Sequence, residues 1–547
     1  MASLEKLKRR GSDLLSWLPQ SMPHIGGNGN GNGNSHAIKG TWQHVSLPHL
    51  PRSSHTLNVV AGNAYIFGGE LEARQPVDND MHVIVLPSSG AAADYYAVKP
   101  KPSRTSPDDT ERATATPTTV TEADEAEMAL KDPLSEIPLS STPPLATPPS
   151  MDSSPQVDKG KRPETPDVPA PRVGHATAVI GSRIFLFGGR AAVAGSTTLD
   201  EGGRVWVFET KTQTWTYLDP HHSSPAPPPR SYHAAVATEK PRDFAVKPSR
   251  LRRASTWKEW VEGDSAEVGI PQRPIAGTIA EKATDEEAAN TGFGTFIIHA
   301  GCLADGSRTS DLWAFDVHAR TWKQLPDAPG PARGGTTLAL AHGSIYRFGG
   351  YDGKAPIGGQ LDVLHLALDE FDDANSKGEI GISARGPWES IVAPRSTDTE
   401  TGSLIATEPW PAPRSVSSLS FVQAGNGREY LVLMAGEKAP SALGHAGAGK
   451  FHSDVWAFQL PPPSATAASF TDALLHTVGR RTGEGRWVPV ALGPYDDEVE
   501  ADVVGPCARG WFAAAPLGDV EDNAVFVAGG LAESGARCGD GWLFRLG

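Results

Sequence analysis

Cysteine is scarce in this chain of 547 residues, which contains three. They are Cys302, Cys507 and Cys538, with no CxxC pair and no Cys/His spacing typical of zinc ligands. We therefore expect neither a disulfide framework nor structural zinc, and predict reduced thiols. No apolar run approaches the roughly 18 residues that would suggest a transmembrane helix. The N-terminal stretch also lacks the uninterrupted apolar core of a secretory signal, so we expect a cytoplasmic protein.

Positive charge is in deficit as well, because the formal net charge is −15. Non-specific nucleic-acid affinity comes from clustered Lys and Arg, so we expect no nucleic-acid partner. Proline (47) and glycine (58), by contrast, together make up about a fifth of the chain. Much of the proline is concentrated in a few segments together with Ser and Thr. This distribution predicts a folded core with disordered insertions.

One unit recurs along the chain, and residues 171–218 show it most fully. It opens with Pro-Arg-x-x-His and continues through an apolar run that ends in the pair 188–189, Gly-Gly. A second alternating run at 205–209 follows, and the unit closes at Trp215. Six copies can be followed, and their opening arginines are Arg52, Arg172, Arg230, Arg333, Arg414 and Arg509.

Each copy is predicted to form four short strands separated by turns. The runs 183–187 and 205–209 are apolar at both parities, which is typical of strands buried on two faces. The sixth copy ends without a closing Trp strand, whereas a surplus Trp42 precedes the first copy. We expect residues 42–47 to pair with residues 541–546, which removes the exposed edges of an open ring.

These features resemble kelch repeats of the galactose oxidase/kelch-like superfamily. The shared features are the Pro-Arg-x-x-His openings, the Gly-Gly ends, an aromatic third strand and the terminal Trp. Two copies have Ala-Gly instead, at 300–301 and 435–436, and the last three replace the opening His by Thr336, Ser417 and Phe512. The resemblance implies an all-β fold: a six-bladed kelch β-propeller over residues 41–547, closed by the N-terminal strand and of an intracellular fungal type.

Segments outside the repeats are predicted to be disordered. They are a flexible segment at 1–40, a Pro/Ser/Thr-rich insertion at 100–168 and an insertion at 239–293 within blade 3. Ser/Thr-Pro steps in the first insertion suit proline-directed kinases, and Arg252-Arg253 before Ser255 suits a basophilic kinase. Compositional coincidence and a solvated basic patch are the alternatives. The predicted phosphorylation sites are Ser255, Ser106, Thr116, Thr142, Thr147, Ser154 and Thr165.

Two sets of repeated residues are candidates for catalysis, metal binding or ligand binding. His55, His175 and His233 share one position, and the resemblance implies packing and hydrogen bonding there; we predict no metal, no cofactor and no catalytic residue. The opening arginines should surround one mouth of the channel. Some would bind carbonyls and carboxylates between blades, and any left free could bind an acidic peptide or anion.

Partner specificity is expected in the loops between the second and third strands of the blades, because loops on a rigid scaffold commonly carry binding. These loops are residues 70–78, 190–203, 303–310, 351–359 and 437–452. The predicted partner-binding residues are Arg52, Arg172, Arg230, Arg333, Arg414, Arg509, Arg190, Asp305, Asp352 and Glu437.

The sequence favours a non-enzymatic scaffold that binds other proteins, by fold-level analogy in signalling or cell polarity. The alternative is a small-molecule or metal-dependent enzyme with its site at the channel mouth. Iron-dependent specifier proteins, also kelch rings, carry Glu, Asp and His at four-residue steps. The pairs Asp78/His82 and Asp472/His476 keep part of this pattern, but Arg74 and Ala468 stand where Glu is needed. No grouping of Tyr, Cys and His typical of galactose oxidase can be recognised.

Overall fold

The structure is a computed structural model in which residues 38–86, 93–103, 167–191, 197–239, 294–368, 381–397, 404–406, 408–425, 427–444, 447–461, 484–495 and 505–547 are described. The regular secondary structure of these ranges is almost entirely β-strand, and helix is confined to short 3₁₀ turns such as Gly518–Val520. Within them, no helix has the length and apolar character needed to cross a bilayer. The seven predicted phosphorylation sites and nearly all of segment 1–40 lie outside the described residues.

The strands follow the predicted repeats and form six blades. The first part of the chain contains β1 (Lys39–Val45), then blade 1 with β2 (Thr56–Val60), β3 (Asn63–Phe67), β4 (Glu70–Glu72), β5 (Gln75–Pro76), β6 (Met81–Val85) and β7 (Asp94–Val98), and blade 2 with β8 (Ala176–Ile180), β9 (Arg183–Phe187), β10 (Val205–Glu209) and β11 (Thr214–Leu218). Blade 3 contains β12 (Arg230–Ser231), β13 (Ala234–Thr238), β14 (Thr295–Leu303), β15 (Arg308–Asp316) and β16 (Thr321–Leu325), and blade 4 contains β17 (Thr337–Ala341), β18 (Ser344–Phe348), β19 (Gln360–Leu368), β20 (Ile382–Ala384) and β21 (Glu389–Val392). A hairpin of β22 (Arg395–Thr397) and β23 (Leu404–Ala406) precedes blade 5, which contains β24 (Ser418–Gln423), β25 (Glu429–Met434), β26 (Glu437–Ala439), β27 (Lys450–Phe451), β28 (Val455–Gln459) and β29 (Trp487–Pro489). The last strands are β30 (Ala491–Pro494) and those of blade 6, β31 (Arg509–Gly510), β32 (Ala513–Pro516), β33 (Ala524–Ala528), β34 (Leu531–Ala532) and β35 (Gly541–Leu546).

The six blades close into a ring. Their innermost strands β2, β8, β13, β17, β24 and β32 pack side by side in chain order, and β32 packs against β2. In blade 6 the N-terminal strand β1 pairs antiparallel with β35, so that Trp42 stands opposite Phe544. The predicted six-bladed propeller closed by its N-terminal strand is therefore confirmed. An additional strand, β30, pairs in parallel with the outer side of β1.

The hydrophobic core is divided among the six junctions between blades. In blade 2, Ile184 and Leu186 pack towards blade 1, where Phe67 lies in the same cluster. Phe185 and Phe187, which have the opposite parity, pack towards blade 3. Each sheet is thus covered on both faces, and this explains why its strands are apolar at both parities. The closing tryptophans belong to the same junctions; the Trp215 ring lies 5.0 Å from the Phe67 ring.

The beginning of the predicted insertion 100–168 belongs to the folded ring. Trp215 N donates to the Lys101 carbonyl at 2.8 Å, and Ser103 N donates to the Trp215 carbonyl at 2.7 Å. These contacts extend blade 2 by a short parallel bridge at Pro102. The folded propeller therefore extends a few residues past position 100, where composition predicts that the insertion begins.

A closed ring of backbone hydrogen bonds surrounds the channel. Each bond joins the residue two positions after an opening arginine to its counterpart in the previous blade. The donor–acceptor distances are Ser54 N to Trp511 O 2.8 Å, Gly174 N to Ser54 O 3.0 Å, Tyr232 N to Gly174 O 2.6 Å, Gly335 N to Tyr232 O 2.8 Å, Val416 N to Gly335 O 2.8 Å and Trp511 N to Val416 O 3.2 Å. All six residues have φ between 47° and 62°, a conformation that is costly for residues other than glycine. We refer to these six residues as the backbone ring.

The double glycines let the next blade approach closely. At Gly188 (φ 65°) a Cβ would lie 2.6 Å from the Arg230 carbonyl oxygen and 2.9 Å from Cε1 of His233. Gly68 and Gly529 meet the opening histidine of the next blade in the same way. All three pairs that face a histidine are Gly-Gly. The two Ala-Gly pairs precede blades that open with Thr336 and Phe512, whereas Gly349-Gly350 precedes the blade that opens with Ser417.

Substitution of Gly188 should therefore cost more than substitution of Gly181, which has a similar φ of 59° and open space around its Cβ position. We expect Gly181→Ala to lose about 1–2 kcal/mol from backbone strain alone. Gly188→Ala should lose about 1–3 kcal/mol more, because His233 and the Arg230 carbonyl must move. Thermal and urea denaturation of both variants measure the difference. Equal losses would contradict the close-approach explanation.

Candidate binding site at the mouth of the channel

The six opening arginines are buried, with at most 4% of any of them exposed. In each, Nη1 donates to the carbonyl of the first residue of the glycine pair in its own blade. The acceptors, in chain order, are the carbonyls of Gly68, Gly188, Ala300, Gly349, Ala435 and Gly529. The arginine's own carbonyl accepts from the second glycine of the previous blade, as in Gly189 N to Arg230 O at 2.9 Å. Each arginine therefore joins two blades.

Four of these arginines also form two-pronged ion pairs. They are Arg172–Glu201, Arg230–Asp311, Arg414–Asp454 and Arg509–Asp540, with N–O distances of 2.6–2.9 Å. The same carboxylates accept an indole N–H, as from Trp313 to Asp311 at 2.7 Å. Burial by itself would raise the pKa of Asp311, but the hydrogen bond and charge of Arg230 hold it below its usual value. The Asp-x-Trp spacing in blades 3, 5 and 6 was a sequence signal for these pairs.

In blades 1 and 4 the opening arginine has other partners than a two-pronged carboxylate. Arg52 Nη2 contacts His82 Nε2 at 3.0 Å and Asp78 at 3.6 Å, so this Asp-His pair belongs to a buried ion-pair network. Arg333 Nη2 donates to the Pro329 carbonyl at 3.4 Å, whereas the corresponding atoms of the four paired arginines donate to a carboxylate. All six guanidiniums are buried and hydrogen-bonded inside the propeller, although Arg52 Nε has no hydrogen-bond partner among the described residues. These contacts match the expectation that carbonyls and carboxylates between blades bind some of the opening arginines. Partner binding by any of the six stays a prediction.

A cavity of ≈ 350 Å³ lies at the mouth of the channel, on the side of the backbone ring where the inner strands begin. We call it the mouth cavity. Its walls come from four of the five loops predicted to carry specificity, 70–78, 303–310, 351–359 and 437–452, and from the corresponding loop of blade 6. Its floor contains four residues of the backbone ring: Tyr232, Gly335, Val416 and Trp511.

Of the other four predicted partner-binding residues, one lines the mouth cavity and three do not. Glu437 lines the mouth cavity. Arg190 lies beside it and donates Nε to Ser231 Oγ at 2.8 Å. Asp305 and Asp352 lie in wall loops but accept from their own loops, Asp305 from Ser307 N at 2.9 Å and Asp352 from Lys354 N at 2.7 Å. Neither is among the residues that line the cavity.

Three arginines from non-repeating positions line the mouth cavity: Arg74, Arg308 and Arg537. Arg74 is exposed. The guanidinium of Arg308 lies 5.1 Å from the centroid of the Tyr351 ring, which also lines the cavity. Arg537 Nε contacts Ser53 Oγ at 3.3 Å. Repeat comparison could not identify these residues, because each stands in a loop that differs from blade to blade.

Two carboxyl groups share the cavity and are both largely buried. Glu70 accepts from Arg74 N at 2.6 Å and from Ser54 Oγ at 3.1 Å. Burial raises its pKa above the usual range despite these bonds. Burial also raises the pKa of Glu437 to about 7, and a hydrogen bond with Ser415 offsets only part of the effect. Near neutral pH Glu437 is therefore incompletely ionised, whereas Glu70 lies 3.8 Å from Arg537 Nη2 as an ion pair.

The aromatic floor of the cavity is held by strained backbone. Tyr232 (φ 54°) and Trp511 (φ 60°) are members of the backbone ring, and their rings meet edge to face at 5.3 Å. Gly174 makes room for this arrangement, since a Cβ there would lie 2.6 Å from the Tyr232 ring. Val416 takes φ 47°, which is an unfavourable conformation for a β-branched residue. Such strain is often found at binding sites, where the surroundings enforce it.

The three predicted scaffold histidines lie on the other side of the backbone ring, around a smaller cavity of ≈ 130 Å³. Burial and then the charge of Arg230 lower the pKa of His233 to about 3, so it is neutral. His175 Nε2 hydrogen-bonds with Thr56 Oγ1 at 2.9 Å, and its ring meets Phe67 edge to face. These contacts support the packing role. No three His, Cys, Asp or Glu side chains within the described ranges come together as a metal-binding group.

Comparison with known proteins identifies the repeat type. The family model described as "Kelch motif" matches residues 171–220, which contain the four strands of blade 2. The predicted resemblance to kelch repeats is confirmed by this match, whereas the fungal type stays a prediction. A solved structure titled "Structure of YjhT" is similar to this chain, with a TM-score of 0.41 and 11% sequence identity, and the similarity covers 90% of this chain and 95% of that one.

Removal of Asp311 should test the buried ion pairs. Asp311→Ala leaves the fully buried Arg230 without its carboxylate, and we expect a loss of about 3–5 kcal/mol in unfolding free energy. Glu533→Ala is the control, because Glu533 pairs with Lys450 and both side chains are exposed. Its loss should stay below about 1 kcal/mol. Denaturant unfolding measures both, and similar losses would contradict an anchoring role.

Proposed function

We propose that this protein is a protein-interaction platform that binds an acidic segment of a partner in the mouth cavity. Kelch propellers are commonly used for protein interactions. The observation that carries the proposal is the convergence of Arg74, Arg308 and Arg537, from three different blades, on one cavity with an aromatic floor. Arginine binds carboxylates through two parallel hydrogen bonds, so an Asp or Glu side chain of the partner fits this lining.

The charge distribution supports an acidic ligand at this place. The whole chain carries a formal charge of −15, so most of its surface repels an acidic partner. The mouth cavity carries the opposite charge, because three guanidiniums line it together with only two carboxyl groups, and Glu437 is incompletely ionised near its pKa of about 7. A local positive site on an acidic protein directs an acidic ligand to that site.

The size of the cavity favours a few side chains of an extended segment. Its volume of ≈ 350 Å³ is near the lower end of the roughly 300–1,000 Å³ of small-ligand pockets. The walls are loops, and the floor is rigid because its residues belong to the closed backbone ring. A preorganised floor lowers the entropic cost of binding. Action in signalling or cell polarity and a cytoplasmic location stay predictions.

A small-molecule enzyme is the second candidate, and Glu437 is the observation that favours it. A carboxyl group with a pKa of about 7 in a cavity can donate or accept a proton at neutral pH. Tyr232 lines the same cavity, and a substrate carboxylate could bind the arginines. Turnover of a small carboxylate by the purified protein, with loss of turnover in Glu437→Gln, would favour this candidate over the platform.

The arginines of the mouth cavity should control affinity for acidic peptides. Arg308→Ala and Arg74→Ala should each weaken binding by about 10-fold or more, since a charged hydrogen bond is worth roughly 1.5–3 kcal/mol. Fluorescence polarisation against a peptide array, with Glu and Asp replaced by Gln and Asn in matched neutral peptides, measures the effect. Arg385→Ala is the control, because Arg385 is exposed and is not among the residues that line the cavity. An equal loss in Arg385→Ala, or no preference for acidic peptides, would refute the proposed site.

Binding of an acidic peptide should also weaken as pH rises from 6 to 8. Glu437 is mainly neutral below its pKa of about 7 and ionised above it, where it repels an anionic ligand. Glu437→Gln should bind with little pH dependence over this range. Polarisation titrations at several pH values measure the slope; an unchanged slope in Glu437→Gln would show that another group is responsible. The other titratable or charged groups that line the cavity are Glu70, Arg74, Tyr232, Cys302, Arg308, Tyr351 and Arg537.

A further inference from the structure

Two of the three cysteines lie side by side in blade 6. Cys507 Sγ and Cys538 Sγ are 3.9 Å apart, although 31 positions separate them in the chain. Cys507 stands just before β31 and is exposed, and Cys538 stands between β34 and β35 and is partly exposed. A disulfide bond is about 2.05 Å long, so the two sulfur atoms need to approach by about 2 Å.

We propose that Cys507 and Cys538 form a redox-modification site, in which a hydroperoxide oxidises Cys507 and Cys538 then closes a reversible disulfide. In the first step the Cys507 thiolate attacks the terminal oxygen of the hydroperoxide. The O–O bond breaks, the terminal OH stays on Cys507 as a sulfenic acid, and the leaving alkoxide or hydroxide takes a proton from solvent to give an alcohol or water. In the second step the Cys538 sulfur attacks the Cys507 sulfur, the S–S bond forms, and hydroxide leaves with the thiol proton as water.

The backbone holds both cysteines in place for this reaction. Cys538 N donates to the Gly530 carbonyl at 2.8 Å, and the Cys538 carbonyl accepts from Arg52 N of blade 1 at 3.3 Å. The Cys507 carbonyl accepts from Arg509 Nε at 3.2 Å. The main chains on both sides are therefore fixed by bonds that recur in other blades. Disulfide closure then depends chiefly on side-chain rotation.

The local charges give the two thiols different roles. The hydrogen bond from Cys538, together with the nearby guanidinium of Arg509, lowers the pKa of Cys507 to about 6. Arg509 Nη2 lies 3.3 Å from Cys507 Sγ. The same hydrogen bond and burial raise the pKa of Cys538. An exposed thiolate next to a cation is the reactive form of cysteine, so Cys507 is the attacking residue and Cys538 the resolving one.

This pair is a feature of one blade only. Two positions before the opening arginine, the other blades carry Leu50, Ala170, Pro228, Pro331 and Ala412. Cys302, the third cysteine, is partly buried in the wall of the mouth cavity, and burial raises its pKa. It therefore provides an internal control for thiol reactivity. The disulfide would link the segment before β31 to the loop that leads into β35, where the N-terminal strand closes the ring.

Peptide mapping of the oxidised full-length protein tests the proposal directly. Reduced protein is treated with a small excess of hydrogen peroxide, blocked with iodoacetamide, digested without reductant and analysed by mass spectrometry. We expect a peptide pair linked through Cys507 and Cys538 that disappears after dithiothreitol, with Cys302 alkylated as a free thiol. Recovery of both cysteines as free thiols, under conditions that oxidise Cys302, would overturn the proposal.

Single variants assign the two roles. In Cys538→Ser, Cys507 should accumulate as a sulfenic acid that dimedone traps, without an intramolecular disulfide; in Cys507→Ser, Cys538 should stay reduced. Cys302→Ser is the matched control and should form the same disulfide as the natural chain. At pH 7 iodoacetamide should alkylate Cys507 at least about 10-fold faster than Cys302. Equal alkylation rates, or disulfides only between molecules, would also contradict the assignment.

Discussion

The closed backbone ring is the constraint on which the rest of this structure depends. Six N–H groups and six carbonyls, one pair per blade, bond around the channel, and every participating residue takes a left-handed conformation. Such strain persists only where the surroundings enforce it. Here the surroundings are the opening arginines, two residues earlier, whose side chains and carbonyls join neighbouring blades. The ring therefore positions Tyr232 and Trp511 as the rigid floor of the mouth cavity.

The fold uses its repeated polar residues for assembly and leaves its irregular ones for recognition. The hydrophobic core is divided into six junctions, so each blade needs its own polar connection to the next. Buried guanidiniums satisfy carbonyls that would otherwise be unpaired where strands turn, and five of the six guanidiniums pair with a carboxylate. This demand is the same at every junction, so these arginines recur once per blade. The arginines that line the cavity stand at positions that do not repeat from blade to blade, and they occur only in some loops.

Much of this could be predicted from pattern alone, for local physical reasons. Alternating apolar runs, glycine pairs and closing tryptophans report burial on two faces and close approach, and neighbouring residues determine both. The surplus Trp42 likewise predicted ring closure, because an unpaired strand at one end matched a missing strand at the other. The contacts of Arg52 with Asp78 and His82 were not predicted, since they depend on which side chains the fold brings together.

The sequence by itself therefore determined the repeat, the number of blades, their closure and the loops that surround the channel mouth. Only the tertiary structure decided which arginines are available: Arg172 and Arg230 are enclosed between blades, whereas Arg74, Arg308 and Arg537 meet at one cavity. It also brought Cys507 to Cys538. The reason is that burial and proximity between loops of different blades depend on how the ring closes, and a one-dimensional pattern carries no information about distances between non-repeating positions.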